Sequence, residues 1–286
     1  MRLLCFGATG QVARELARLD LGGDALVQLS RAEADLSDPD ACAAAVAAHR
    51  PDAVINAAAW TDVDGAEAQE GAARVVNGDA PAAIARACAA LGAPLVHIST
   101  DYVFAGGGAA PWRPGDAVAP LGAYGRTKLL GEEGVRAAGG PHAILRTSWV
   151  FSAHGRNFAR TMLRLGAERE RLRVVDDQIG GPTPAAGIAA ACTAIARRLR
   201  PEPDLSGTYH FAGAPDVSWA GFAREIMARA GLPCDVEGIP SAEYPTPARR
   251  PLNSRLDCAA TEAAFGVARP DWRAGLDAII EELRSQ

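Results

Sequence analysis

The 286-residue sequence contains only one lysine, Lys128, among 29 basic residues, and its six cysteines form no CxxC pair. The cysteine spacing argues against a zinc site and suits small buried thiols in a reducing compartment. No apolar run approaches the roughly 18 residues of a membrane span, and the apolar run at the start, MRLLCF, is too short for a signal peptide. The net charge of −5 does not suit a nucleic-acid or membrane-surface binder. We therefore expect a cytoplasmic monomer or homodimer with no nucleic-acid or membrane partner.

Short apolar segments alternate with alanine-rich segments over about the first 150 residues. The apolar segments predict strands and the alanine-rich ones predict helices, with Ser37 as the N-cap of the helix that starts near Pro39. Such alternation predicts an α/β fold of Rossmann type, with a doubly wound parallel sheet and right-handed crossovers. The remainder is richer in proline and less regular, and predicts a smaller, partly interleaved C-terminal domain. Ligands should lie at the carboxyl ends of the strands.

A glycine-rich turn follows the first predicted strand in FGATGQVARE, which has the pattern GxxGxxA. Gly7 permits a tight turn, Gly10 lets the backbone approach a pyrophosphate, and Ala13 lets the helix pack close to the sheet. Gln11 and Val12 lie in the helix N-terminus that would face the phosphates. In this position the motif predicts dinucleotide binding, although an ordinary βα turn can also contain two glycines.

The end of the second strand distinguishes between the nicotinamide cofactors. An acid there would bind the ribose hydroxyls of NAD, whereas Ser30 and Arg31 suit the 2′-phosphate of NADPH. We predict NADPH, with NADH possible and with a solvated loop as the alternative role of Arg31. Asp35 and Leu36 are expected beside the adenine.

The lone lysine stands four residues after Tyr124 in YGRTK, so both side chains share one helix face. The Lys128 ammonium would favour the phenolate and lower the pKa of Tyr124 toward the working range, and it could also bind ribose hydroxyls. Thr100, after the fourth strand, could bind a substrate oxygen. The alternatives without a catalytic role are a surface Tyr–Lys pair for Tyr124 and Lys128, and a strand-end cap for Thr100.

The glycine loop, the threonine and YxxxK together resemble the extended short-chain dehydrogenase/reductase superfamily. Longer strings narrow the resemblance to the dTDP-4-dehydrorhamnose reductase family, and they span residues 7 to 257 in the family's order. They are GATGQV, NAAAWTDVDGAE, STDYVFAG, YGRTKLLGE, RTSWVFSAHGRNFARTML, DDQIGGPTPA and YPTPARRPLNSRLD.

The resemblance implies that NADPH reduces the C4 keto group of dTDP-4-dehydro-β-L-rhamnose to give dTDP-L-rhamnose. Tyr124 would protonate the alkoxide, Thr100 would polarise the carbonyl, and Lys128 would lower the pKa of Tyr124 and hold the nicotinamide ribose. Residues 1–149 and about 171–212 would then form the dinucleotide-binding domain. Residues of about 150–170 and 213–286 would form the nucleotide-sugar domain.

The same resemblance implies two further sets of binding residues. Substrate contacts are expected from Asp101, Trp149, Asn157, Arg249, Arg250 and Arg255. The arginines suit bidentate contacts to a diphosphate, whereas Trp149 could instead be a core residue and Asn157 a helix cap. The cofactor pocket is expected to include Ala59, Trp60 and Thr61, with tryptophan where the family more often has tyrosine or histidine.

Some family members are described with Mg²⁺ held by carboxylates of paired subunits. Glu15 matches one of these, but PAAGIAAAC after GGPT offers no second acid, so we predict no metal. A 4,6-dehydratase is disfavoured because Tyr102 follows STD and the start lacks TGGAGFIG. A 4-epimerase, a related 4-ketoreductase and a non-catalytic NADP-binding regulatory subunit stay open as alternatives.

Overall fold

A computed structural model describes residues 1–285 and shows a six-stranded parallel sheet flanked by helices, with a smaller lobe beside it. The strands are β1 (Arg2–Phe6), β2 (Ala25–Leu29), β3 (Ala53–Asn56), β4 (Leu95–Thr100), β5 (His142–Thr147), β6 (Val150–Phe151), β7 (Arg171–Val175), β8 (Ile179–Gly180), β9 (Thr183–Pro184), β10 (Gly207–His210), β11 (Val217–Ser218), β12 (Asp235–Ile239) and β13 (Asn253–Ser254). The helices are α1 (Gln11–Arg18), α2 (Pro39–His49), α3 (Val63–Ala68), α4 (Glu70–Arg74), α5 (Ala80–Leu91), α6 (Ala123–Ala137), α7 (Phe158–Glu168), α8 (Ala185–Leu199), α9 (Trp219–Ala230), α10 (Ala259–Phe265) and α11 (Trp272–Arg284).

The strands of the large sheet run in the order β2-β1-β3-β4-β5-β10, and every neighbouring pair is parallel. From β1 the chain passes to β2 on one side and then returns to β3 on the other. This switch point opens a crevice at the carboxyl ends of β1 and β3. The predicted Rossmann-type fold is confirmed.

Both faces of the sheet are covered by apolar, alanine-rich helices. Helices α1 and α8 pack on one face, and α2 and α5 pack on the other. The six cysteines are all free and buried, as their spacing predicted. One local prediction is wrong: Asp38, not Ser37, caps α2, because its side chain accepts a hydrogen bond from Ala41 N.

The smaller lobe has its own core, in which α7, α9 and α11 surround Phe151, Phe222 and Trp272. Within it β7 pairs in parallel with β12, while α8 and β10 lie with the large sheet. No helix within residues 1–285 combines the length and the apolar content needed to cross a bilayer.

Candidate active site

The glycine loop leaves β1 at the switch point. Gly7 has φ +106°, and a Cβ there would lie 3.5 Å from the backbone of Ala57 and Ala58, so the conformation rather than the space requires glycine. Gly10 is the N-cap of α1 and offers no capping side chain, which leaves the first N–H groups of α1 open to an anion. The helix N-terminus after the glycine turn is therefore present and uncapped, and its role toward a phosphate stays a prediction.

Gln11 and Val12, which follow the loop, have different surroundings. The Gln11 amide oxygen accepts hydrogen bonds from Ser152 Oγ at 3.1 Å and Asn157 Nδ2 at 3.0 Å. Val12 is buried in the core, so only its backbone can face a ligand. Asn157 also caps α7 through Arg160 N. Its amide is therefore used inside the protein, where it ties the start of α1 to the smaller lobe.

Ser30 and Arg31 lie at the end of β2, where a 2′-phosphate was predicted. Arg31 is 83% exposed and 3.8 Å from Asp35. Ser30 donates from both its backbone N–H and its hydroxyl to Glu33, a residue that the sequence analysis missed, and these bonds hold the pKa of Glu33 below its usual range. Leu36 is buried in the core on this side of the sheet.

Trp60, between Ala59 and Thr61 after β3, is held by a buried asparagine that the sequence analysis also missed. Asn77 accepts from Trp60 N at 2.9 Å and donates to Trp60 O at 3.1 Å. Asn77 lies in a π-helical turn, Val75–Asp79, between α4 and α5. Such turns often mark functional sites. The run of weak helix formers in VVNGD, inside a helical stretch, was the available signal.

Thr100 and Asp101 lie at the carboxyl end of β4, and both are buried. Thr100 Oγ1 donates to Asp101 Oδ1 at 3.2 Å and accepts from Tyr102 N. Asp101 Oδ2 has no hydrogen-bond partner among residues 1–285, although the Ser254 hydroxyl is near enough to lower its pKa. Burial prevails and raises the pKa of Asp101 to about 6. An orphaned carboxylate oxygen at this edge is an acceptor for a ligand hydroxyl.

Tyr124 stands in the first turn of α6, beside this pair. Burial raises the pKa of Tyr124 to about 12, Asp101 adds to the rise, and the Thr100 hydroxyl opposes it. The phenol ring also meets the Tyr102 ring edge-on, with centroids 5.5 Å apart. Thr100, Asp101 and Tyr124 are thus brought together as one polar cluster.

Lys128 is buried one turn further along α6, and its ammonium points toward β4. Lys128 Nζ donates to Ile98 O at 2.7 Å and lies 3.5 Å from His97 Nε2. Burial lowers the pKa of Lys128 to about 8, while Glu132, a further turn along, raises it. The shift in the pKa of Tyr124 has burial, the Thr100 hydroxyl and Asp101 as its causes, and Lys128 is not among them. Its predicted effect on the phenol stays a prediction for the cofactor-bound protein.

Trp149 follows β5 and has a backbone φ of +50°, a conformation that residues other than glycine rarely adopt. Its ring stacks on Trp219, with centroids 3.6 Å apart and planes 12° from parallel. Trp219 in turn lines a cavity of about 770 Å³ between α7 and β7, together with Tyr244 and Arg250. Backbone strain of this kind is concentrated at functional sites.

The three candidate diphosphate arginines differ in their surroundings. Arg250 lines the cavity and makes two hydrogen bonds to Asp64, at 2.9 and 3.2 Å. Arg255 donates to Asn253 Oδ1 in its own segment, and Arg249 is exposed outside the cavity lining. The structure thus distinguishes Arg250 from the other two.

The residues around Glu15 do not fit a metal ion. Arg18 NH1 lies 2.9 Å from both carboxylate oxygens of Glu282 and 3.8 Å from Glu15, so a positive charge already stands between the acids. His154 Nε2 is 3.6 Å from Glu15 and 2.8 Å from the same guanidinium nitrogen. Within residues 1–285 no three acidic, histidine or cysteine side chains converge as ligands.

The fold and the site together define the class of protein to which this chain belongs. A switch-point glycine loop, a hydroxyl at the end of β4 and a YxxxK helix are the architecture of the short-chain dehydrogenases/reductases. The model of the RmlD substrate binding domain matches residues 1–285, and the chain belongs to this family.

Three named proteins illustrate the similarity. A dTDP-4-dehydrorhamnose reductase of Burkholderia thailandensis is 45% identical, with both chains fully covered. The crystal structure of a dTDP-4-dehydrorhamnose reductase from Clostridium acetobutylicum matches with TM-score 0.92 and 35% identity, covering 99% of this chain and 100% of that one. The same enzyme from Bacillus anthracis, solved in complex with NADP, matches with TM-score 0.90 and 33% identity, covering 98% and 99%.

Proposed function

We propose that this protein is an NADPH-dependent dTDP-4-dehydrorhamnose reductase, which reduces the C4 keto group of dTDP-4-dehydro-β-L-rhamnose to give dTDP-L-rhamnose. The observation that carries the proposal is the cluster of the Thr100 hydroxyl, the Tyr124 phenol and the unpartnered Asp101 oxygen at one sheet edge. The full-length relatives that bear this name support it. Six unpaired buried cysteines suit the reducing cytoplasm.

The glycine loop is the proposed site of the cofactor, because the open N–H groups of α1 suit a pyrophosphate. NADPH would supply the hydride. Ser30 and Arg31 would contact the 2′-phosphate, and Arg31 is exposed and able to turn toward it. The NADP complex of the Bacillus anthracis relative supports this choice.

Tyr124 is the proposed proton donor. Its pKa of about 12 keeps the phenol protonated at neutral pH, and a reduction needs a donor for the alkoxide that forms at C4. Thr100 would donate its hydroxyl hydrogen to the same oxygen, releasing Asp101 Oδ1. Lys128 would hold the nicotinamide ribose and, as an ammonium, would stabilise the phenolate, which requires it to leave Ile98 O.

The substrate is proposed to extend from Asp101 past Trp149 into the cavity. Asp101 Oδ2 would accept from a sugar hydroxyl, and the Trp149–Trp219 pair would bound the sugar site. Arg250, held by Asp64, would contact the diphosphate in the cavity.

The test is an assay of the purified chain with NADPH and the dTDP-4-dehydro sugar. We expect NADPH oxidation that depends on the sugar, together with formation of dTDP-L-rhamnose. Tight NADPH binding without oxidation would instead favour a non-catalytic binding subunit. Oxidation with a different product stereochemistry would place the protein among related 4-ketoreductases.

The cofactor assignment has its own test. The double variant Ser30→Asp with Arg31→Ala should shift kcat/KM from NADPH toward NADH, because an acid at this position accepts from the ribose hydroxyls and repels a 2′-phosphate. The same change at the exposed, unrelated Arg113 (Arg113→Ala) should leave the ratio as it is. An unchanged cofactor ratio in the double variant would mean that the phosphate is recognised elsewhere.

A further inference from the structure

His97 is a fully buried histidine beneath the YxxxK helix. It stands on β4, three residues before Thr100, and its side chain faces α6. Burial and the neighbouring Lys128 keep its pKa well below the usual range, so the ring is neutral. A neutral imidazole carries one proton, and which nitrogen holds it depends on the neighbours.

Asn56 decides which nitrogen carries that proton. Asn56 Oδ1 accepts from Ala58 N at 3.2 Å, so the other amide atom, Nδ2, must be the one that faces His97. Asn56 Nδ2 lies 3.2 Å from His97 Nδ1. Because an amide nitrogen only donates, Nδ1 must accept, and the proton is on Nε2.

The Nε2–H group of His97 therefore points at Lys128 Nζ, 3.5 Å away. An ammonium has only donors and would face this N–H unfavourably, whereas a neutral amine can accept from it while still donating to Ile98 O. The hydrogen-bonding arrangement therefore favours the neutral amine of Lys128 over its ammonium form.

We propose that His97, fixed in its Nε2–H tautomer by Asn56, is a positioning residue that favours the amine form of Lys128. The proposal deepens the proposed function and rests on it for its catalytic meaning, since Lys128 is the partner of Tyr124 there. While Nζ lies against Ile98 O and His97, Lys128 loses its proton easily near neutral pH, and the ammonium that stabilises the phenolate forms when Lys128 leaves these contacts.

Burial is the main cause of the lowered pKa of Lys128, and the other charged and titratable groups around it do not add to this lowering. Tyr124 lies one turn before it on α6, and Glu132, one turn after it, raises the pKa of Lys128. Glu132 is in turn paired with Arg146 on β5 and Arg136 on α6. Asp101, after β4, acts on Tyr124 rather than on Lys128.

The single lysine makes a direct experiment possible. Protein labelled with ¹³C-lysine, with a lysine-free tag, gives one Cε resonance, whose shift against pH reports the ionisation of Lys128 alone. We expect a midpoint near 8 in the wild type. His97→Leu should raise this midpoint by about one pH unit, because the opposing N–H is gone.

His210→Leu is the matched control, because His210 is also a buried histidine but pairs with Trp112 O on the far side of β5. It should leave the Lys128 midpoint in place. A midpoint that His97→Leu leaves unchanged or lowers would overturn the proposal.

A second measurement needs no change at residue 97. In ¹⁵N-histidine-labelled protein, with resonances assigned by replacing the other four histidines singly, His97 should show the Nε2–H tautomer from pH 6 to 9. The Nδ1–H tautomer would overturn the proposal, because Nε2 would then accept from an ammonium.

The role in the reaction is tested separately. The pH dependence of kcat in His97→Leu should move in the same direction as the Lys128 midpoint. If the midpoint moves and the kcat profile does not, the positioning role in catalysis is wrong. An inactive wild type would refute the reductase instead and leave the two spectroscopic results standing.

Discussion

At the scale of single residues, the site depends on groups whose ionisation is shifted by burial. Tyr124, Asp101 and Lys128 all lie under the same sheet edge, and burial moves the pKa of each toward its neutral form. The Tyr124 phenol is therefore protonated at neutral pH, which suits proton donation to a substrate oxygen, whereas Asp101 and Lys128 lose their protons near neutral pH.

Removal of the Tyr124 hydroxyl should abolish most turnover. Tyr124→Phe is expected to lower kcat by about 10²–10⁴-fold, because the proton donor is lost, while the Kd for NADPH changes little. Steady-state kinetics and a fluorescence titration of NADPH measure the two effects. Tyr209→Phe, which loses a phenol bonded to Leu205 O away from the site, is the control. A Tyr124→Phe variant that keeps most of its activity would identify a different donor.

Asp101 should make the protein less stable as pH rises through its titration. Its folded pKa of about 6 lies above the ordinary value of 3.8, so the folded chain binds more protons than the unfolded one between these values. Stability is therefore present at low pH and declines between about pH 4 and 6. Asp101→Asn should raise Tm more at pH 7.5 than at pH 4.5, while lowering activity. An equal Tm difference at both pH values would show that the carboxyl is not destabilised by burial.

At the scale of elements, α6 is the support of the site, and it is anchored by a buried ion pair. Glu132 accepts from Arg146 Nε at 2.8 Å and NH2 at 2.7 Å, and from Ser99 Oγ at 2.6 Å. The helix also packs very close to the π-helical turn: a Cβ on Gly131 would lie 2.1 Å from Asn77 O. Four-residue spacing places Tyr124, Lys128 and Glu132 on one face of α6.

Breaking this ion pair should cost much more than an ordinary surface change. Glu132→Gln is expected to destabilise the protein by about 3–5 kcal/mol, because it leaves the buried Arg146 without its counter-ion. Glu133→Gln, the exposed neighbour on the same helix, should change stability by less than about 0.5 kcal/mol. Chemical denaturation measures both. Similarly small losses of unfolding free energy in the two variants would contradict an anchoring role for the Glu132–Arg146 ion pair.

At the scale of the whole molecule, the site is held together by hydrogen bonds between segments that are distant in the chain. Gln11 bonds to Ser152 and Asn157, and Arg250 reaches back to Asp64. These contacts join the glycine loop and the cavity across the two lobes. The smaller lobe thus completes a site that the large sheet only begins.

Arg250 should matter for substrate affinity more than its neighbour does. Arg250→Ala is expected to raise KM for the sugar nucleotide by about 10–100-fold, the loss of one or two charge-assisted hydrogen bonds to phosphate. Arg249→Ala removes the same charge from an exposed position outside the cavity and should have little effect. Steady-state kinetics at fixed NADPH compares them. Equal effects of the two variants would mean that only net charge is recognised.

The sequence by itself determined the sheet and the glycine loop, because these depend on local periodicity and on residues that directly follow strands. It joined Thr100 to Tyr124 only through the resemblance to a known superfamily, since the two residues lie in different elements. Only the tertiary structure decided where Lys128 points and which arginine faces the cavity. It also showed the roles of Asn77 and His97, whose partners are 17 to 50 and 31 to 41 residues away. Local pattern carries no information about such long-range partners, and they set the burial and hydrogen bonding that tune the site.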